Sequence, residues 1–294
     1  MVRLDRIEKH FSWLVILLKG VGQIMLQQSA YTGLFFLIGI FYGSITMGVG
    51  ALLAVSVGTI TAYLLQYDKD QITNGIYGFS ATLVGVALTF YFEATLIVWI
   101  AVVIGAVLAT VIQHWFSDKK IPVFTFPFIL VTWGIMYLLK DVFSVGPSAF
   151  LDIPAEINQD FAFGFRGYGQ VIFQGSTLAG LLFFIGVFVN SPLQALYGFF
   201  GAVIAGFMSR LYDAPIELVM TGLLSYNAVL CAIVFSGDKI KDGIWVIIAI
   251  ILSLVVSFIM SVYQMTPLTF PFVAGTWSVL IIKKMTARIS DYKY

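Results

Sequence analysis

The chain writes one pattern twice. Residues 22–44 read GQIMLQQSAYTGLFFLIGIFYGS, and residues 169–191 read GQVIFQGSTLAGLLFFIGVFVNS. At an offset of 147, the leading glycines, the pairs Gln23/Gln170 and Gln27/Gln174, Ser29/Ser176 and much of the apolar frame coincide. GIYGFSATLVG (75–85) returns as GLLSYNAVLCA (222–232) at the same offset, and FTFPFILVTW (124–133) as LTFPFVAGTW (268–277) at an offset of 144. Three matches in one order predict two halves, 1–147 and 148–294, joined in one integrated transmembrane domain. In a membrane protein, halves of this kind usually enclose a substrate path at their interface.

Composition supplies the membrane. Charged residues are 11% of the chain and the hydrophobic set is 60%, with a mean hydropathy of +0.97. A soluble chain carries about 25% charged residues. The net charge of +1 disfavours a nucleic-acid partner. A single cysteine, Cys231 in an apolar run, excludes an intrachain disulfide. The basic residues Arg3, Arg6 and Lys9 before an apolar run imitate a signal peptide. Lys19 cuts that run, no small-residue cleavage pattern follows, and the repeat begins there with Lys19 matching Arg166. The run is therefore read as the first span.

The predicted fold is an all-α polytopic membrane protein. Spans are expected near 11–28, 30–43, 46–65, 94–115 and 123–139, and again near 158–175, 177–190, 193–212, 244–263 and 267–283. Several are short for a bilayer core and have to tilt or be buried by neighbours. Segments 75–91 and 222–237 are rich in Gly, Ser and Asn between polar turns. They are read as re-entrant half-helices, because irregular backbone at membrane depth needs protein or a water-filled cavity around it.

Five spans per half is an odd number, so the halves point opposite ways: an inverted repeat enclosing a central pore. The positive-inside rule agrees. Arg3, Arg6 and Lys9, then Lys119 and Lys120, Lys239 and Lys241, and Lys283, Lys284 and Arg288 fall on one side. The 140–160 connection, with Asp141, Asp152, Glu156 and Asp160 against Lys140, falls on the other. Both termini are expected in the cytoplasm, and the membrane is expected to be the plasma or inner membrane.

The spans hold almost no carboxylate: Glu93 and Glu217 sit at segment ends and Asp213 in a turn. Ion-coupled carriers usually place ionisable groups in the membrane. No phosphate-binding loop supports ATP drive, and no Cys/His or Ser/His/Asp arrangement supports an enzyme. No metal or cofactor is implied. His10 and His114 do not pair by position, no Asn-Pro-Ala pair marks a water channel, and Gly167-Tyr168-Gly169 lacks the Thr-Val of a potassium filter.

What remains are uncharged polar residues in pairs: Gln23/Gln170, Thr125/Thr269 and Ser80/Asn227, with the aromatics Phe79/Tyr226 and the apolar Leu83/Leu230. Gln and Thr also tie helices together by hydrogen bonds. Beside half-helices, whose last carbonyls lack helical partners, they instead form a row of acceptors. That row suits a small neutral molecule rich in N–H donors, and aromatic faces suit a flat one.

IPVFTFPF (121–128) and MTPLTFPF (265–272) resemble the duplicated L-P-x-x-T-x-P-F motif of the urea transporter family. GQIMLQ and GQVIFQ are similar to its Gly-Gln-Val-x-Phe segments, and GFSATLVG and SYNAVLCA to its Gly-Phe-Asn-Gly-x-Leu-x-Gly segment. The resemblance runs from about Lys19 to Lys284. It implies passive urea conduction by a homotrimer in lipid, with one pore per protomer and outer, middle and inner sites. Carried over by position, Gln23 and Gln170 serve the end sites and Thr125 and Thr269 the middle. Ile24, Val171, Leu83 and Leu230 narrow it. Leu26 with Phe79 frames the outer slot, and Phe173 with Tyr226 the inner one. The chain departs from the family at Leu26, where a Phe is expected, at Ser80, where Asn is expected, and at Ile121 and Thr266 in the motif. A channel for other small amides or ammonia, and a non-conducting scaffold, remain open alternatives.

Overall fold

A computed structural model describes residues 12–149 and 162–291, with side chains to 286. The basic cluster at Arg3, Arg6 and Lys9, the acidic Asp152, Glu156 and Asp160, the start of the 158–175 segment and the Arg288 side chain lie outside the described residues.

The first half contains α1 (Ser12–Gly22), α2 (Ala30–Gly43), α3 (Ile45–Leu64), α4 (Lys69–Thr73), α5 (Phe79–Tyr91), α6 (Leu96–Asp118) and α7 (Phe126–Tyr137). The second contains α8 (Phe163–Gln170), α9 (Thr177–Asn190), α10 (Pro192–Arg210), α11 (Ile216–Met220), α12 (Tyr226–Phe235), α13 (Ile240–Val262) and α14 (Phe270–Asp291). From α2 to α5 each helix starts 147 residues before its counterpart; for α6 and α7 the separation is 144. The difference falls inside one element, since α5 has 13 residues and α12 has 10.

Local chemistry sets these boundaries. Ser29 and Ser176 cap α2 and α9 by accepting from the N–H three residues on, and Ser44 and Ser191 do the same for α3 and α10. Left-handed residues recur at counterpart positions: Leu26 and Phe173 both have φ 59°, Gly75 and Gly222 both 77°, and Phe124 and Leu268 have 49° and 44°. At Gly75 and Gly222 only glycine fits, because a Cβ would lie 2.4 Å from the Gly20 and Gly167 nitrogens.

The expected 11–28 span stops short of its predicted end. The helical backbone of α1 ends in a 3₁₀ turn at Gln23–Met25, Leu26 turns left-handed, and α2 departs at 77°. Among the described residues, α3, α6, α10 and α13 are long and apolar enough to cross a membrane, or five spans if the bent pair counts as one. At 14 residues, α2 and α9 are about 21 Å long. They fall short of a bilayer core of about 30 Å. The buried α5 and α12 are shorter still, about 20 and 15 Å.

Close approach of backbones packs the elements. A Cβ on Gly33 would sit 1.8 Å from the Leu18 carbonyl oxygen, and one on Gly180 the same distance from that of Phe165. These glycines let α2 lie on α1 and α9 on α8. One hydrophobic core runs through both halves, from Val21 and Phe36 to Tyr168, Phe183 and Leu230.

Contacts between the halves are reciprocal. The Trp133 indole donates to the Thr266 carbonyl (2.9 Å), and its counterpart Trp277 donates to Pro122 (2.7 Å), the counterpart of Thr266. Phe126 packs on Trp277 and Phe270 on Trp133. Phe36 meets its own counterpart, Phe183, at 5.2 Å between ring centroids. Gln27 bonds Gln194 and Asn190, while Gln174 reaches Met47, the counterpart of Gln194.

Candidate functional site

The duplicated glutamines stand in the same local frame. Gln23 donates through Nε2 to the Asn74 carbonyl (2.9 Å), and Gln170 donates to the Thr221 carbonyl (3.0 Å), the counterpart of Asn74. Each side chain is thereby pinned to the turn that precedes a short buried helix. Its amide oxygen keeps acceptor capacity.

Thr125 and Thr269 come together. Their hydroxyls lie 2.7 Å apart, joining positions 144 residues distant in the chain. Each precedes a Phe-Pro-Phe that opens a helix, and the proline falls in the first turn, where its missing N–H costs nothing. Both threonines are buried.

Beside Thr125 lies a cavity of about 260 Å³, lined by Gln23, Ile24, Leu26, Phe79, Gln113 and Thr125, together with Ile76, Ser117, Phe272 and the 121–124 segment. It is smaller than the roughly 300–1,000 Å³ of sites for drug-sized ligands. Leu26, 37% exposed, faces this space from its left-handed turn, and Phe124 shares both features. Strained backbone costs about 1–3 kcal/mol and concentrates at binding sites.

The other expected site residues are placed elsewhere. Gln170, Val171, Phe173, Ser80, Leu83, Tyr226, Asn227, Leu230 and Thr269 do not line this cavity. Leu83, Leu230 and Val171 are buried in the shared core. The Tyr226 hydroxyl donates to the Leu268 carbonyl. The Phe173 ring contacts run to Phe90 (5.2 Å), Tyr91 (5.8 Å) and Phe128 (6.4 Å), so it is packed among the aromatics of the first half. Asn227 Oδ1 accepts from the Phe272 N–H at 3.1 Å, capping the start of α14. Ser80 donates to Gln113 at 3.4 Å.

Eight of the thirteen lining residues were not among the expected site residues, Phe272, Phe124 and Gln113 among them. Phe272 sits inside the duplicated Thr-Phe-Pro-Phe and Phe124 opens its first copy, so the repeat itself pointed to them. Gln113 has no such signal, since position 257, its counterpart, is a serine.

The urea transporter family model matches residues 14–284. Urea transporter 1 of Ovis aries is 25% identical over 242 residues, covering 75% of this chain and 62% of the relative. The Capra hircus protein matches identically, and the Rattus norvegicus protein is 24% identical over 241 residues with the same coverage. This chain thus spans 62% of the length of these relatives. Matched from α1 through most of α14, this integral membrane chain belongs to the urea transporter family.

Proposed function

We propose that the protein conducts urea passively across a membrane through a narrow path between its halves. The observation that carries this reading is the meeting of Thr125 and Thr269, counterparts from the two halves, hydroxyl to hydroxyl at 2.7 Å. The two buried hydroxyls form a constriction that offers a solute hydrogen bonds in place of lost water. The cavity holding Gln23, Leu26 and Phe79 is one approach to it, and Gln170, Phe173 and Tyr226 form the opposite one. Ile24, Val171, Leu83 and Leu230 bound the path between them.

Reciprocal contacts are the pattern a twofold axis produces, in which i meets j′ and j meets i′. They support halves 1–147 and 148–294 as inverted repeats, with α5 and α12 as half-helices entering from opposite faces. Lys119 lies 3.8 Å over the Trp115 ring, and Lys283 lies 5.6 Å from Phe235 and from Trp245. Basic side chains paired with aromatics mark a membrane interface. These contacts support a membrane-interface position for the 116–120 loop and the C-terminal end of α14, and the positive-inside rule assigns both to the cytoplasmic side. The unit is a homotrimer with a pore in each protomer, sited in the plasma or inner membrane.

Purified protein in liposomes tests the reading. Stopped-flow light scattering should show saturable urea entry well above that of empty liposomes, indifferent to membrane potential. Uphill accumulation of urea driven by an imposed proton or sodium gradient would refute it.

A further inference from the structure

One polar group in the cavity stands outside the duplication. Gln113 is 3% exposed and lies on α6, one turn before Ser117, so both present the same helix face to the cavity. Its only amide contact described is the 3.4 Å approach of the Ser80 hydroxyl to Oε1. That separation is long for an O–H···O bond. Gln23 is pinned through its nitrogen to a backbone carbonyl, and Thr125 is engaged with Thr269. The Gln113 contact engages only its oxygen.

The counterparts sharpen the contrast. Position 257, matching Gln113, is Ser, and position 227, matching Ser80, is Asn. Each half carries one amide and one hydroxyl at these two places, with the helices that bear them exchanged. In the second half, the amide oxygen is committed to the Phe272 backbone N–H. In the first, the amide stands on the cavity wall.

We infer that Gln113 is a specificity-determining residue that reads the O=C–N–H edge of the solute. A carboxamide presents an acceptor and an N–H donor side by side. Urea and simple amides present the complementary pair, so two hydrogen bonds close in one plane. A site built to hydrogen-bond a group rejects the analogue that lacks it, because its own polar atoms are then left unpaired. Thiourea has nearly the shape of urea, but its sulfur is a weak acceptor, and it loses one of the two bonds. This assignment rests on the conduction reading and adds a residue and a criterion to it.

Gln113→Met keeps the volume and removes both hydrogen-bonding groups. Gln113→Glu keeps the shape and removes the N–H donors. Urea and thiourea fluxes are measured in proteoliposomes containing wild-type protein and variants that elute like it in detergent. The expected result is a rise in half-saturation for urea of about fivefold in Gln113→Glu, the scale of one net hydrogen bond, and a larger rise in Gln113→Met. Thiourea, which keeps only the bond to the side-chain oxygen, should change little in Gln113→Glu and less than urea in Gln113→Met, so the preference for urea narrows by about fivefold in each. An unchanged preference, or an equal fall for both solutes, overturns the inference and leaves Gln113 a brace between α5 and α6. Absence of urea flux through the wild type removes the conduction reading itself, and this inference with it.

Discussion

At the residue scale, Thr125 and Thr269 satisfy each other at 2.7 Å, and on the conduction reading a solute passing between them has to replace that bond. Losing a buried partner costs about 1–3 kcal/mol. At the barrier peak, that slows flux by roughly one to two orders of magnitude. The double substitution Thr125→Val, Thr269→Val removes both hydroxyls at nearly constant shape and leaves neither orphaned. Flux should therefore fall while thermal stability stays within about 1 kcal/mol of wild type. Undiminished urea flux in that variant would assign the pair to packing. Leu26 invites the opposite experiment. Its counterpart Phe173 already carries an aromatic ring at φ 59°, the same angle, so Leu26→Phe adds no backbone strain. A ring opposite Phe79 gives a flat solute a second aromatic face. Such N–H···π contacts are weak, and half-saturation for urea should drop only a few-fold. An unchanged value would place Leu26 outside the solute's path.

At the element scale, the helices rest on intimate contacts that single atoms disrupt. Gly33→Ala would drive a methyl to 1.8 Å from the Leu18 carbonyl oxygen, against backbone that has no room to yield. We expect that variant to lose most of its folded, detergent-stable yield, whereas Gly134→Ala, whose Cβ would meet nothing within 4 Å, should not. In α7 the Thr132 hydroxyl is buried with no hydrogen-bond partner, while its counterpart Thr276 faces the Cys231 sulfur at 3.9 Å. Thr132→Val should therefore be neutral or stabilising by about 1 kcal/mol, read as a higher melting temperature; a clear loss would reveal a partner for the hydroxyl. Helices bounded by serine caps were legible in the sequence, and 30–43 and 177–190 were placed to the residue. The break at Leu26 was not, because nothing in an apolar run announces a left-handed leucine. Of the cavity residues, Gln23, Thr125 and Phe79 were legible through repetition, and Leu26 through the family resemblance. Gln113 was hidden because its helix carries no counterpart amide, and only folding brings it to Ser80.

At the scale of the whole molecule, the duplicated sequence becomes two sets of helices that exchange equivalent contacts: indole to carbonyl, ring to ring, threonine to threonine. Neither half can be altered at such a position without changing the surface the other rests on. On the conduction reading, net urea flux should vanish whenever the two sides hold equal concentrations, at any pH difference; a steady flux under those conditions would reveal a pump. The equivalence is incomplete, however. α5 outreaches α12 by three residues, about 4.5 Å of helix. On the conduction reading, this inequality would set the constriction off centre and give the two approaches different depths. Thermodynamics forbids such a path from rectifying at equilibrium but not from saturating differently from each face. Urea half-saturation measured on right-side-out and inverted vesicles should therefore diverge, and a cell would meet a conduit that tires sooner when loaded from one side than from the other.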